Sequence, residues 1–421
     1  MTDDVRVVTF GCRMNAYESE LMKGHAQDAG LTDAILVNTC AVTAEAERQV
    51  RQTIRKLHRE NPEAKIIVTG CAAQLTPERY ADMDGVSRVL GNREKLSREG
   101  YSAEAPAIHV TDIMTARETA NHMLEGFDGR ARAFVQVQQG CDHRCTFCII
   151  PFARGPNISQ PRMRIAEQIR QLIAAGTPEI VLTGVDITAY GVDTPEGPQL
   201  GKLIRYLLDE VPEMQRLRLT SLDPVEIDDE TFRLLVEEPR MMPHVHLSVQ
   251  AGDDMILKRM KRRHLRHDVI SLAERLRAQR PEIALGADII AGFPTETDEM
   301  FQNGLALVDE ADITHLHVFP FSPRPGTPAA KMPQVKGDVV KARARQLRDA
   351  GQRRMAALLD TWVGRTATAV VENQGHGRTD HYLPISVEIG PEALTPPPEV
   401  GTVATIRVLR HDGTTLYGTP A

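Results

Sequence analysis

Gly140-Cys-Asp-His-Arg-Cys-Thr-Phe-Cys148 sets Cys141, Cys145 and Cys148 at C-x3-C-x2-C spacing, directly after a β-rich run at 134–138. Three thiolates on one short loop can hold three irons of a [4Fe–4S] cluster, leaving the fourth open to a small molecule. The other reading is a zinc loop completed by His143, although zinc loops mostly use C-x2-C pairs. Strand-like runs recur downstream at 180–183, 217–220, 245–249, 285–290 and 315–319. Helical stretches separate most of them, at 162–175, 202–210, 229–238, 269–279 and 298–309. Six β/α units with right-handed crossovers predict a parallel arc. Eight would close a full barrel, so the expectation is an incomplete (β/α)6 barrel, open on one side.

Upstream, runs at 5–10, 34–38 and 65–69 alternate with helical stretches at 17–29 and 45–60, which predicts a parallel α/β domain. Cys12, Cys40 and Cys71 each follow one of these runs within about two residues. Parallel strands end on one edge, where α/β proteins place ligands, so the three thiols are expected to converge there. Gly11, Thr39 and Gly70 before them leave room for something bulky. Three buried core cysteines are the bland alternative. A second cluster on three cysteines is the sharper one and accounts for all six cysteines.

Residues 114–130 read as a linker, and 341–359 as a helix with Lys341, Arg345 and Arg348 on one face. After Trp362 the pattern changes to strand-like alternation at 366–371, 403–409 and 415–418, broken by Gly375, Gly377, Pro384 and the prolines at 396–398. This predicts a small antiparallel β barrel of OB-like length. The expected division is 1–121, 131–360 and 361–421.

The 421 residues include 42 % hydrophobic and 25 % charged residues, ordinary globular values, so the chain needs no disulfides for stability. The net charge of −7 argues against a generally basic coat but leaves room for local patches. Aromatics at 4 % disfavour a base-stacking platform. No run of 18 apolar residues suggests a membrane span. The acidic start lacks signal-peptide character, so the expected setting is the cytoplasm, with metal or redox duty for the cysteines rather than disulfides.

The C-x3-C-x2-C loop with Phe147 before its last cysteine resembles the signature of the radical SAM superfamily. Three N-terminal cysteines, this loop and a small β domain together resemble the methylthiotransferase family over nearly the whole chain. Gly11-Cys-Arg-Met-Asn-Ala-Tyr-Glu-Ser-Glu and Asn38-Thr-Cys-Ala-Val-Thr are most similar to the MtaB subgroup, which acts on threonylcarbamoyladenosine beside the tRNA anticodon. Leu247-Ser-Val-Gln-Ala-Gly, Asp288-Ile-Ile-Ala-Gly-Phe-Pro-Thr-Glu-Thr and Phe321-Ser-Pro-Arg-Pro-Gly-Thr-Pro-Ala also fit the family. The last 60 residues resemble a TRAM domain. One departure stands out: the family's Arg-Gly-Arg-Glu-x-Ser-Arg reads Arg154-Gly-Pro-Asn-Ile-Ser-Gln160 here, so Pro156 and Gln160 replace basic residues.

The resemblance implies two [4Fe–4S] clusters, one on Cys12, Cys40 and Cys71 and one on Cys141, Cys145 and Cys148. It implies S-adenosylmethionine (SAM) as methyl donor and as radical source, bound at the second cluster. It further implies a one-electron donor such as flavodoxin or ferredoxin, and a sulfur donor. The implied reaction puts a methylthio group on C2 of the adenine. Phe147 is expected near the SAM adenine. Gly184, Ser221, Gln250 and Gly292, at or near strand ends, are further cofactor-site candidates. Lys258, Arg259, Lys261, Arg262 and Arg263 form one basic stretch and Lys341, Arg343, Arg345, Arg348, Arg353 and Arg354 another, both suited to RNA phosphates or to a solvated helix face. His244 with His246, and His315 with His317, face one side of their strands, either as metal or proton-transfer groups or as polar lining. Rival readings are an isopentenyladenosine or ribosomal-protein aspartate target, and a non-catalytic iron–sulfur sensor that binds RNA.

Overall fold

The computed structural model describes residues 5–116, 131–388 and 398–421. Most of the linker expected over 114–130, and two of the three prolines at 396–398, lie outside the described residues.

The N-terminal sheet contains β1 (Arg6–Thr9), β2 (Ala34–Thr39), β3 (Lys65–Gly70), β4 (Val86–Leu90) and β5 (Ile108–His109), all parallel and in chain order. Helices α1 (Arg13–Asp28), α2 (Ala44–Glu60), α3 (Cys71–Leu75) and α4 (Pro77–Ala81) connect them. Strand alternation sends Ile35, Val37, Ile66 and Val68 to one face, under Val50, Ile54 and Leu57 of α2. Leu36 and Ile67 face the other way, against Met22 and Ala26 of α1. A strand buried on both faces reads as an unbroken apolar run, as β2 does over 34–37. The last two strands were not expected, because Ser87 and Arg88 break the apolar run of β4 and β5 has two residues.

The arc begins with β6 (Arg132–Gln136). A short antiparallel clasp of β7 (Gln138–Gln139) and β8 (Ile158–Ser159) closes the base of the cysteine loop, with α5 (Ile150–Arg154) inside it. Then follow α6 (Arg162–Ala174), β9 (Glu179–Thr183), α7 (Leu200–Glu210), β10 (Leu217–Leu219), α8 (Asp229–Glu237), β11 (His244–Gln250), α9 (Asp254–Met260), α10 (Arg266–Gln279), β12 (Ala284–Ala291), α11 (Asp298–Glu310), β13 (Ile313–Pro320) and α12 (Gly337–Asp360). Two parallel three-stranded sheets, β6-β9-β10 and β11-β12-β13, meet through single parallel bridges, Leu217–Met241 and Leu222–Leu247. Six strands therefore run in chain order, and among the described residues β6 and β13 do not pair. The N-terminal sheet touches both rims of this gap. Tyr17 and Leu21 of α1 share a core with Ala133 and Val135 of β6. Beyond β13, Ser322 Oγ accepts a hydrogen bond from Ala44 N at 3.0 Å, and Arg324 pairs with Glu47. No helix among the described residues is long and apolar enough to cross a membrane.

The C-terminal barrel is closed by β14 (Thr366–Asn373), β15 (His376–Thr379), β16 (Pro384–Val387), β17 (Val403–His411) and β18 (Leu416–Pro420), in the order β14-β15-β16-β18-β17. The expectation of a wholly antiparallel barrel is corrected by β16 and β18, which pair parallel. A closed ring with an odd number of strands cannot alternate direction all the way round, so one parallel pair is forced.

The β15–β16 loop enters the base of the arc. Asp380 pairs with Arg216, and its carbonyl accepts from Arg218 at 3.1 Å. The Tyr382 ring stacks on His244 with centroids 5.1 Å apart, and four guanidiniums surround it at 4.7–5.7 Å, from Arg13, Arg132, Arg218 and Arg378. Burial, reinforced by His246 and nearby arginines, lowers the pKa of His315 to about 3, and burial lowers that of His381 to about 4. Burial also holds His244 well below its ordinary value. The folded protein therefore keeps these rings neutral where an unfolded chain would protonate them, below about pH 6.5. Their contribution to stability is present above that pH and fades as pH falls toward 4. Thermal unfolding is expected to show a midpoint that drops steadily from pH 7 to pH 4.5. His315→Gln, which cannot take the proton, is expected to flatten part of that slope; an unaltered slope would remove this ring as its source.

Candidate active site

Cys12 precedes α1, Cys40 follows β2 and Cys71 opens α3. Since β1, β2 and β3 are parallel neighbours, all three thiols sit at one sheet edge. Asn15 joins two of the strand ends, donating to Phe10 O at 2.6 Å and Thr39 O at 3.0 Å. Thr39 Oγ1 accepts from Ala72 N and Ala73 N, both at 3.2 Å, and so sets the start of α3 beside Cys71. Burial, with the charges of Cys71 and Cys12 added, raises the Cys40 pKa to about 12. The room expected beside Gly11 and Gly70 is taken by the protein itself. A Cβ on Gly11 would lie 2.9 Å from Cys40 Sγ, and one on Gly70 2.4 Å from the Thr39 backbone.

Cys141, Cys145 and Cys148 leave β7 on a loop pinned at several points. Cys141 N donates to Gly155 O at 3.1 Å, Asn157 N to Asp142 Oδ1 at 3.1 Å, and Thr146 N to Met260 O at 3.1 Å. Gly140 has φ +72°, and a Cβ there would come within 1.7 Å of Pro156 O. Asp186, beyond β9, lies 3.6 Å from Cys141 Sγ and accepts from His143 Nε2 at 2.9 Å. Hydrogen bonds to Asp186 and Glu226 raise the His143 pKa to about 9. Burial raises the Cys148 pKa to about 11. Buried thiols of this kind stay protonated unless a metal takes the proton's place. Two all-sulfur trios suit iron–sulfur ligation.

The remaining candidates separate. Phe147 packs edge-on to Phe293, centroids 6.5 Å apart, beside the cysteine loop. Ser221 lies half-buried just beyond β10. Gln250 ends β11 at φ +71°, a left-handed conformation that costs a non-glycine residue about 1–3 kcal/mol. Gly184 and Gly292 both lie at close approaches between segments. Their missing Cβ atoms make way for Gln138 Oε1 (2.8 Å) and Val340 Cγ2 (2.6 Å).

The first basic patch divides between partnered arginines and exposed lysines. Arg262 and Arg263 both donate to Asp223 Oδ2 at 2.7 Å, and Arg262 Nη1 reaches to 3.8 Å from Cys145 Sγ. Arg259 donates to Thr295 O at 3.3 Å. Lys258 and Lys261 stay exposed. On α12, Lys341, Arg345, Arg348 and Arg353 are exposed, whereas Arg343 is buried on Glu296 and Asp298, and Arg354 pairs with Asp312. His246 Nε2 and His317 Nδ1 converge on Asp288 Oδ1 at 3.0 and 3.1 Å, while His244 and His315 pack around Tyr382. Sequence reasoning missed Asp186, Asn92, Glu18 and Lys95, and missed that Arg154 is buried. None belongs to a spacing motif, although Glu18 and Arg154 stood in quoted stretches.

Six parallel strands with a three-cysteine loop after the first define a radical SAM protein, and residues 135–308 match the Radical SAM superfamily model. Residues 4–91 match the model described as Uncharacterized protein family UPF0004. A protein of Rickettsia prowazekii named threonylcarbamoyladenosine tRNA methylthiotransferase MtaB is 50% identical over 91% of this chain and 91% of its own. An Erythrobacter litoralis protein named tRNA-2-methylthio-N(6)-dimethylallyladenosine synthase is 36% identical over 88% of this chain and 86% of its own. Among solved structures, the radical SAM methyltransferase TsrM of Kitasatospora setae superposes with a TM-score of 0.57 at 15% identity, covering 78% of this chain and 74% of that one, which is a likeness of fold. The chain belongs to the MtaB-type tRNA methylthiotransferases of the radical SAM superfamily. The superfamily implies a [4Fe–4S] cluster and SAM.

Gly140→Ala combines left-handed strain with a backbone collision. It is expected to destabilise the protein by about 2–4 kcal/mol and to lower the iron held by the Cys141/Cys145/Cys148 loop. Melting and iron analysis after anaerobic reconstitution check this, and parent-like values for both would show that the loop has another available path.

Proposed function

We propose that the chain puts a methylthio group on C2 of threonylcarbamoyladenosine beside the tRNA anticodon. The observation that carries this reading is the half-identical relative named for that substrate, against about one-third identity to the relative named for the dimethylallyl substrate. Cys141, Cys145 and Cys148 would hold one [4Fe–4S] cluster with SAM, and Cys12, Cys40 and Cys71 a second. Together the bound groups supply a carbon radical and a methylthio donor.

Around them, Phe147, Ser221 and Gln250 line the rim at the strand ends and are suited to orient SAM. Arg262, close to Cys145 and tied to Asp223, offers positive charge to that loop. Exposed Lys258 and Lys261, with Lys341, Arg345 and Arg348 of α12, are suited to RNA phosphates. The C-terminal barrel would add backbone and shape contacts, having no row of aromatics. The three proposed units are 1–121, 131–360 and 361–421. The reaction also needs a one-electron donor of the flavodoxin or ferredoxin type, a sulfur donor and a reducing cytoplasm.

Anaerobic reconstitution is expected to give about eight irons per chain, and about four when Cys12, Cys40 and Cys71 are all changed to Ala. Four irons in both proteins would end the two-cluster reading. In a deletion strain, nucleoside mass spectrometry is expected to show threonylcarbamoyladenosine without its methylthio form. Loss of the methylthio form of isopentenyladenosine instead would reassign the substrate.

A further inference from the structure

Three charged side chains lie beneath the N-terminal cysteines almost wholly out of water: Glu18 and Lys95 at 0% exposure and Arg154 at 2%. Lys95 Nζ is 2.7 Å from Glu18 Oε2. Arg154 clasps the same carboxylate with two nitrogens, at 2.7 and 2.9 Å. The other contacts are to neutral amides. Asn92 Oδ1 accepts from Lys95 at 2.7 Å, and Asn15 Oδ1 accepts from Arg154 at 2.7 Å. Among the described residues, then, two buried cations share one carboxylate. A buried charge without a counterion costs several kcal/mol, so the surplus positive charge calls for an anion.

The surroundings place that anion at the cysteines. The Asn15 amide that Arg154 reaches also donates to the carbonyls of Phe10 and Thr39, two residues before Cys12 and one before Cys40. Asn92 Nδ2 stands 3.8 Å from Cys71 Sγ and also donates to Ala153 O at 2.7 Å, which joins the sulfur to the residue before Arg154. A [4Fe–4S] cluster on three thiolates carries a net charge of about −1 when oxidised and about −2 when reduced. The oxidised charge matches the surplus.

We propose that Glu18, Lys95 and Arg154 form a charge-balancing floor for the N-terminal cluster, with Arg154 as its positioning residue, and that their surplus positive charge holds that cluster's reduction potential up. This rests on the two-cluster reading. Arg154 ends α5, the helix that directly follows Cys148. The segment behind one cysteine loop thus supplies the countercharge of the other, and the N-terminal site is electrostatically complete only against the docked arc.

The test uses full-length protein with Cys141, Cys145 and Cys148 changed to Ala, so that one cluster is read alone by EPR-monitored redox titration. In that background Arg154→Gln removes the surplus charge and is expected to shift the midpoint potential downward. Glu18→Gln increases the surplus and is expected to shift it upward. Arg154→Lys keeps the charge and is expected to stay near the parent potential. Opposite shifts are the decisive readout, because loosened packing would lower iron content in every variant without reversing the sign. If Arg154→Gln retains no iron, Glu18→Gln against Arg154→Lys decides. Four irons with one common potential overturn the inference alone. No cluster iron in the triple-Ala background overturns the two-cluster reading and this inference with it.

Discussion

The double clasp of Arg154 on Glu18 is the contact on which the arrangement of the two cysteine trios depends. It joins α5 to α1, and each helix begins or ends beside a cysteine group. Burial alone would raise the Glu18 pKa, yet Arg154 and Lys95 hold it down at about 2. Such a carboxylate keeps its charge over the whole physiological range. Removing one partner would leave an uncompensated charge in a dry interior, among the most damaging changes a fold can meet. The cysteine trios are therefore locked to each other through rigid elements rather than through a flexible tether.

A second constraint acts at the opposite end of the strands. Arg132, Arg216 and Arg218 sit at or near the starts of β6 and β10, where Glu179 takes two of them. The C-terminal barrel contributes Asp380, Glu372 and the Tyr382 ring to the same cluster of cations. Burial would raise the Tyr382 pKa, but Arg132 and Arg13 bring it down to about 8. Arg13 follows Cys12 directly and reaches the Tyr382 hydroxyl at 3.4 Å. The β15–β16 loop is thus a wedge in the base of the arc, in contact with the N-terminal part of the chain as well.

Much of this was legible because parallel α/β architecture writes itself locally. The strand runs of the arc are apolar on the face toward the helices, and each cysteine of the N-terminal trio follows such a run. Contacts between distant segments were not legible. Arg262 and Arg263 looked like a free basic stretch because their partner, Asp223, comes from the far side of β11. The close approach at Gly292 was not legible because Val340, which takes the space of a Cβ there, lies on α12. β15 and β16 have four residues each and carry Gly377 and Pro384, too little pattern to reveal a strand or its direction.

The replacement of two basic residues by Pro156 and Gln160 has a structural reading. Pro156 meets Gly140 through its carbonyl oxygen, which a proline provides as any residue does. Gln160 donates its backbone N–H to Val137 O at 2.8 Å, and its carbonyl accepts from Tyr190 at 2.8 Å. The contacts shown at both positions are made by backbone atoms and use neither side chain. What the departure changes is charge. Of the cations beside the Cys141/Cys145/Cys148 loop, Arg262 and Arg263 are drawn onto Asp223, whereas Arg144 stays exposed and donates to the carbonyls of Cys141 and His143. Positive charge at this rim is therefore organised by Asp223 and by the loop's own carbonyls, and the strip after α5 contributes shape.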